Sequence, residues 1–136
     1  MAFPPLGGGD LIRRERLSPD TAILKLRNGP RAGTVFRLDL PRAVLGRSDP
    51  PHSTADLDLT GLEPAPGAMI SRRHAEIDWA DGTLSIRDLG SRNGTFVNRV
   101  KLEPPKPGDL GAKALAVGDV IRLGQLEMEV DADRSR

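Results

Sequence analysis

The chain has 136 residues, 20 Lys+Arg against 19 Asp+Glu and a net charge of +1, length for one core and little else. With 38% hydrophobic and 29% charged residues it reads as globular, not disordered or fibrous, and the balanced charge gives no global pull toward nucleic acid or anionic membrane. The lack of cysteine excludes disulfides, thiolate zinc sites and thiol nucleophiles, and suits a reducing cytoplasm.

Residues 1–20, with Pro-Pro, Gly-Gly-Gly and the run Arg13-Arg14-Glu15-Arg16, read as a flexible N-terminal tail. The start lacks the basic segment and apolar run of a secretion signal, and no stretch is apolar enough to cross a bilayer, so the expected location is the cytoplasm. Ser18 and Thr21, just before the domain, are candidates for phosphorylation and binding in cis or by a second copy. Ala22, Leu24 and Leu26 then alternate with Thr21, Ile23, Lys25 and Arg27 up to the stop at Asn28-Gly29-Pro30, and Phe36, Leu38 and Leu40 repeat the period. Residues 48–68, rich in Pro and Asp, read as an insertion between strands. Ala75, Ile77 and Trp79 share an apolar face opposite His74, Glu76 and Asp78. Asp81-Gly82 signals a hairpin into Leu84 and Ile86. Residues 103–113 read as a second insertion, and Lys113 to Val117 as one helical turn at most. Leu126, Met128 and Val130 alternate with Gln125, Glu127 and Glu129. The expected fold is an all-β antiparallel sandwich or barrel over residues 21–131, with a C-terminal tail at 132–136.

Three motifs fall at strand boundaries: Gly46-Arg47, Ser71-Arg72-Arg73-His74, and Ser91-Arg92-Asn93-Gly94-Thr95. They are rich in hydrogen-bond donors, several of them cationic. Guanidinium forks match phosphate oxygens in bidentate geometry. Hydroxyl and loop N–H groups add neutral bonds, and glycine lets backbone approach closely. A phosphothreonine offers roughly −1.5 to −2 charge and three acceptor oxygens, so loops on a rigid scaffold with such donors suit it.

Gly46-Arg47, Ser71-Arg72-x-His74 and Asn93-Gly94-Thr95 with Asn98, followed by Gly118-Asp119-Val120-Ile121-Arg122-Leu123-Gly124, resemble the signature of the forkhead-associated (FHA) domain family. The resemblance spans residues 21–131. It implies an FHA-like two-sheet antiparallel β-sandwich of about eleven strands, with functional loops at one end and a preference for phosphothreonine over phosphoserine. It implies phosphate contacts from Arg47 and Ser71, phosphate or peptide-backbone contacts from Arg72, a phosphate contact from Arg92 at a variable loop position, and peptide main-chain bonds from Asn93. Gly46, His74, Gly94, Thr95 and Asn98 are expected to structure the loops.

The bland readings run beside these. His74 pins its loop instead of serving a triad, and His52 sits in the first insertion. Asn93-Gly94-Thr95 matches a glycosylation acceptor, discounted without a secretion signal. Asp56, Asp58 and Glu63 fit no calcium loop and read as a solvated acidic loop. No nucleophile–base pair, metal cluster or phosphate-binding loop is visible, so the expectation is a non-enzyme without cofactor or metal. With three Phe, one Trp and no Tyr, there is no stacking face for nucleic acid. The expected partner is a phosphothreonine protein or peptide, itself a Ser/Thr kinase substrate. The alternative is an FHA-fold module that binds unphosphorylated protein or self-associates.

Overall fold

Strict alternation of apolar and acidic residues from Leu126 to Ala132 forces one face of that segment inward, and the structure shows it. In this computed structural model, which describes residues 16–51, 54–66 and 68–134, Leu126, Met128, Val130 and Ala132 are buried while Glu127, Glu129 and Asp131 face outward. Eleven strands follow in chain order: β1 (Ala22–Leu26), β2 (Val35–Arg37), β3 (Arg42–Gly46), β4 (Leu57–Asp58), β5 (Ala75–Ala80), β6 (Thr83–Asp88), β7 (Thr95–Val97), β8 (Val100–Lys101), β9 (Lys113–Ala114), β10 (Val120–Leu123) and β11 (Leu126–Ala132). One sheet has six strands in the order β2-β1-β11-β10-β7-β8, the other five in the order β4-β3-β5-β6-β9. Leu24, Leu45, Leu84, Ile86, Ile121, Leu123, Leu126 and Met128 are among the fully buried residues of the core.

Turn chemistry sets register. Asp81 and Gly82, at φ of 53° and 77°, join Ala80 to its partner Thr83, the primed-turn geometry that Asp-Gly favours. Asn98 and Arg99 do the same between Val97 and Val100, at φ of 51° and 70°. Arginine there has no glycine-like freedom, and the left-handed backbone costs roughly 1–2 kcal/mol. Arg99→Gly is therefore expected to stabilise the fold. After the roughly 0.4–1 kcal/mol that glycine adds to unfolded-chain entropy, the net gain is about 0.5–1 kcal/mol, a rise in Tm of about 2–5 °C in a thermal melt.

Several sequence expectations are corrected. Leu40 is 46% exposed, because β2 ends at Arg37 and the period breaks before it. Ile23 is buried although it points to the wet side: β1 is flanked by β2 and β11, with Arg37 and Asp131 beside Ile23 in register. His74 and Glu76 are buried as well. Glu76 receives Nε and Nη2 of Arg87 at 3.2 and 2.8 Å, so the arginine stem covers that face. Lys113–Ala114 is an edge strand on β6 instead of a helical turn.

Residues 48–68 are more than an insertion. They carry β4, which pairs in parallel with β3 (Leu45 with Leu57, Gly46 with Asp58), so the sandwich is not wholly antiparallel. Leu57 and Leu59 enter the core. The acidic residues there are bonded to backbone, not simply solvated: Asp56 accepts the Val44 N–H at 2.8 Å and Asp58 the N–H groups of Ser48 and Thr60. Glu63 accepts those of Met69 and Ile70 through Oε1, and that of Gln125 through Oε2. A short loop with many polar backbone groups needs such acceptors.

The folded part also passes both expected boundaries. Leu17 packs on the core, the hydroxyls of Ser18 and Thr21 bond each other at 3.2 Å, β11 runs to Ala132, and the Asp133 N–H donates to the Thr21 carbonyl. Residues 1–15 of the tail expected at 1–20, and His52, lie outside the described residues.

Candidate functional site

Gly46 ends β3 where only a glycine fits, since a Cβ there would sit 1.9 Å from the Arg72 carbonyl oxygen. That absence of a side chain lets the turn after β3 lie directly against residues 71–72. The Arg47 N–H donates to the Ser71 carbonyl at 3.2 Å, and Arg47 Nε donates to the Ile70 carbonyl at 2.5 Å. The side chain is thus anchored at Nε, with both Nη groups left for other acceptors.

His74 joins the second turn to the third. It is 0% exposed, its Nδ1 accepts the Ser71 N–H at 3.0 Å, and its Nε2 lies 2.8 Å from the Gly94 carbonyl. An acceptor at Nδ1 and a carbonyl at Nε2 require the neutral ring protonated on Nε2. Burial pushes its pKa down, against the Gly94 carbonyl and the nearby carboxylates of Asp88 and Glu63. Both nitrogens are used, so His74 has none to offer as a general base. Its role is to hold loops.

The third turn is built on Asp88, the last residue of β6 and an inward-facing one. Its carboxylate accepts the N–H groups of Gly90 and Ser91, the Ser91 hydroxyl and the Thr95 hydroxyl, at 2.6–2.9 Å. Ser91 Oγ in turn accepts the Gly94 N–H at 2.9 Å, and Gly94 takes φ of 89°, a left-handed backbone suited to glycine. The folded loop presents Arg92 and Asn93 beside the second turn. The Arg92 N–H donates to Ser71 Oγ at 3.1 Å, and Asn93 Nδ2 donates to the Met69 carbonyl at 2.9 Å.

These contacts gather Arg47, Ser71, Arg72, Arg92 and Asn93 around one open cleft of about 310 Å³, floored by residues 68–70. Ser71 accepts from Arg92 but keeps its own hydroxyl hydrogen to donate. Asn93 keeps Oδ1 and one amide hydrogen. Arg72 pairs with Asp49 at 3.4 Å across an exposed rim, whereas Arg47 and Arg92 have no carboxylate in ion-pair range among the described residues. Asn98 is not part of this cleft. It bonds Asp119 and the Val120 N–H at the far end of β7 and lines a different depression. Asp88, Ser91, Glu63 and Asp49 were missed as site supports, although an Asp followed by Gly and Ser two and three residues on is a turn-capping signal.

A β-sandwich whose end loops converge three guanidiniums, a hydroxyl and an amide on an open cleft has the architecture of a binding module for an anionic group carried on a peptide. The chain belongs to the FHA domain family, whose model matches residues 43–124. It is 35% identical over 114 residues to the oxoglutarate dehydrogenase inhibitor of Corynebacterium glutamicum, covering 84% of this chain and 67% of that protein. It is also 35% identical over 114 residues to the glycogen accumulation regulator GarA of Mycolicibacterium smegmatis, covering 84% of this chain and 61% of that one. The chain thus spans about three-fifths to two-thirds of these relatives. Among solved structures, the FhaA FHA domain complexed with the intracellular domain of another protein aligns at TM-score 0.60 and 33% identity, over 80% of this chain and 98% of that one. A domain studied for phosphothreonine-dependent FHA interactions aligns at TM-score 0.62 and 32% identity, over 82% and 95%.

Proposed function

We infer that this chain is a non-catalytic, phosphothreonine-dependent protein-binding module of a regulatory kind. The observation that carries the reading is the convergence of Arg47, the Ser71 hydroxyl, Arg92 and Asn93 from three turns on one cleft. Arg47 and Arg92 supply charge and forked donors for a phosphate dianion, and Ser71 a short neutral bond. Asn93, whose amide is only partly used, bonds the peptide main chain beside the phosphothreonine. Arg72, shared with Asp49, contributes from the rim. The relatives named as an inhibitor and a regulator, and the FHA domain solved with a partner's intracellular domain, support a protein as the ligand, and the domain studied for phosphothreonine-dependent interactions supports its phosphorylation. Such a ligand is made by a Ser/Thr kinase.

Calorimetric titration with one peptide in three forms tests this. The phosphothreonine form should bind, and the unmodified form should be weaker by at least one to two decades, the loss of charge-assisted bonds worth about 1.5–3 kcal/mol. Phosphoserine should be about fourfold weaker, for a lost methyl contact of roughly 0.8 kcal/mol with the cleft wall at Met69. Equal binding of the unmodified peptide would overturn the reading in favour of a module for unphosphorylated partners.

A further inference from the structure

A second cleft, of about 330 Å³, lies on the outer face of the six-stranded sheet and shares no residue with the first. It is lined by Arg27, Asn98, Arg99, Val120, Arg122 and Glu127. Cross-strand order makes a row of charge. Arg27, just beyond β1, donates its N–H to the Glu127 carbonyl on β11. Glu127 pairs with Arg122 on β10, and Arg122 with Phe96 on β7. With strands about 4.8 Å apart, the Arg27 and Arg122 positions are separated by about 10 Å, with one carboxylate between them.

The arginines are not neutralised: among the described residues none of Arg27, Arg99 and Arg122 enters an ion pair. Arg122 is held in place, stacked 4.1 Å from the centroid of the Phe96 ring and donating through Nη1 to the Gly124 carbonyl at 2.8 Å. Arg99 reaches the cleft from a left-handed turn position where glycine sits without strain. Strain retained for one long cationic side chain points to a ligand contact.

We propose that this cleft is a second binding site, which takes a carboxylate-rich extended segment of a protein partner on Arg27, Arg99 and Arg122. Guanidinium forks fit carboxylates bidentately. Glu127 in mid-row disfavours a compact dianion or a continuous polyanion, because each would set negative charge against it. A peptide places its carboxylates at intervals and can lay neutral backbone over Glu127. In an extended segment of polyproline II form, with three residues per turn, residues three apart share one side and are separated by about 9 Å, close to the spacing of the two arginine positions.

The probe is an acetylated nine-residue peptide of Glu-Gly-Gly repeats, titrated into the full chain at low salt and followed by backbone amide shifts. The expected result is shifts at Arg27, Arg99, Val120 and Arg122, with affinity at least tenfold lower for the Gln-Gly-Gly peptide and for Arg99→Gly. That variant removes the cation while relaxing the backbone, so misfolding does not confound it. Arg122→Gln should act in the same direction, and phosphothreonine-peptide affinity should stay within about twofold in Arg99→Gly. Four results would overturn the proposal: shifts confined to Ser71, Arg92 and Asn93; equal binding of the glutamine peptide; unchanged affinity in Arg99→Gly; or tighter binding of an oligothymidylate or of phosphatidylserine vesicles than of the acidic peptide.

Discussion

Arg47→Ala is expected to lower the affinity for a phosphothreonine peptide by at least one to two decades, with the fold retained. The arginine is fixed at two points, its N–H on the Ser71 carbonyl and its Nε on the Ile70 carbonyl. Little side-chain entropy therefore remains to be lost on binding. Its Nη groups meet the phosphate as charge-assisted donors, each such bond being worth about 1.5–3 kcal/mol, and 1.4 kcal/mol is a tenfold change in Kd. Arg47→Lys keeps the charge but loses the fork and the Nε anchor, so its loss should be intermediate. Truncation also leaves the Ile70 carbonyl without this donor, a cost to the fold of about 1 kcal/mol, visible as a small drop in Tm. Calorimetry with the same phosphopeptide decides the matter. An Arg47→Ala protein that binds as tightly as the parent would remove the phosphate from this cleft.

Much of the site was legible because its residue types and their order are local facts. Gly46-Arg47, Ser71-Arg72 and Arg92-Asn93 each sit at a strand boundary in sequence; β3 pairs with β5 in one sheet, and the His74 contact with the Gly94 carbonyl ties the start of β7, in the other sheet, to the same end. Asp81-Gly82 was legible for the same reason, since turn chemistry is written in two adjacent residues. Burial of polar residues was not. Alternation says which face His74 and Glu76 occupy but not what covers that face, and the covering groups, the Gly94 carbonyl and the Arg87 side chain, are 20 and 11 residues away. The segment 48–68 misled because its Pro and Asp content hides a two-residue strand, and the backbone N–H groups that employ Asp56 and Glu63 lie elsewhere in the chain. Asn98, expected to structure a loop, takes part in a side-chain to backbone bond at the other end of β7, where the Val120 N–H donates to it. The pairing of Arg72 with Asp49 joins residues whose spacing carries no signal.

Asp88→Ala is expected to cause the largest loss of stability among the loop substitutions, about 3–4 kcal/mol, and to abolish phosphopeptide binding with it. The carboxylate is 5% exposed and accepts from Gly90, Ser91 (twice) and Thr95. Removing it strands those donors, each at roughly 1 kcal/mol net, and releases the loop that places Arg92 and Asn93. Asn in its place keeps an acceptor but turns an NH₂ toward donors, so Asp88→Asn should fall between. The pH dependence separates this residue from His74. Burial pushes the Asp88 carboxyl up, but the hydrogen bonds from Ser91, Thr95 and Gly90 outweigh it and hold the group below its ordinary 3.8. Its contribution is therefore complete above pH 3.8 and is lost as pH falls through the folded-state value. His74 is held below its ordinary 6.5 by burial. Below that pH the unfolded chain takes up a proton that the folded chain refuses, and stability declines from there down to the folded-state value. Once His74 does take the proton, Nδ1 no longer accepts from Ser71. A melt series should thus show one decline starting near pH 6.5 and a further one below 3.8, with only the second reduced in Asp88→Asn. A variant whose acid limb matched the parent's would mean that the carboxylate does not hold the loop.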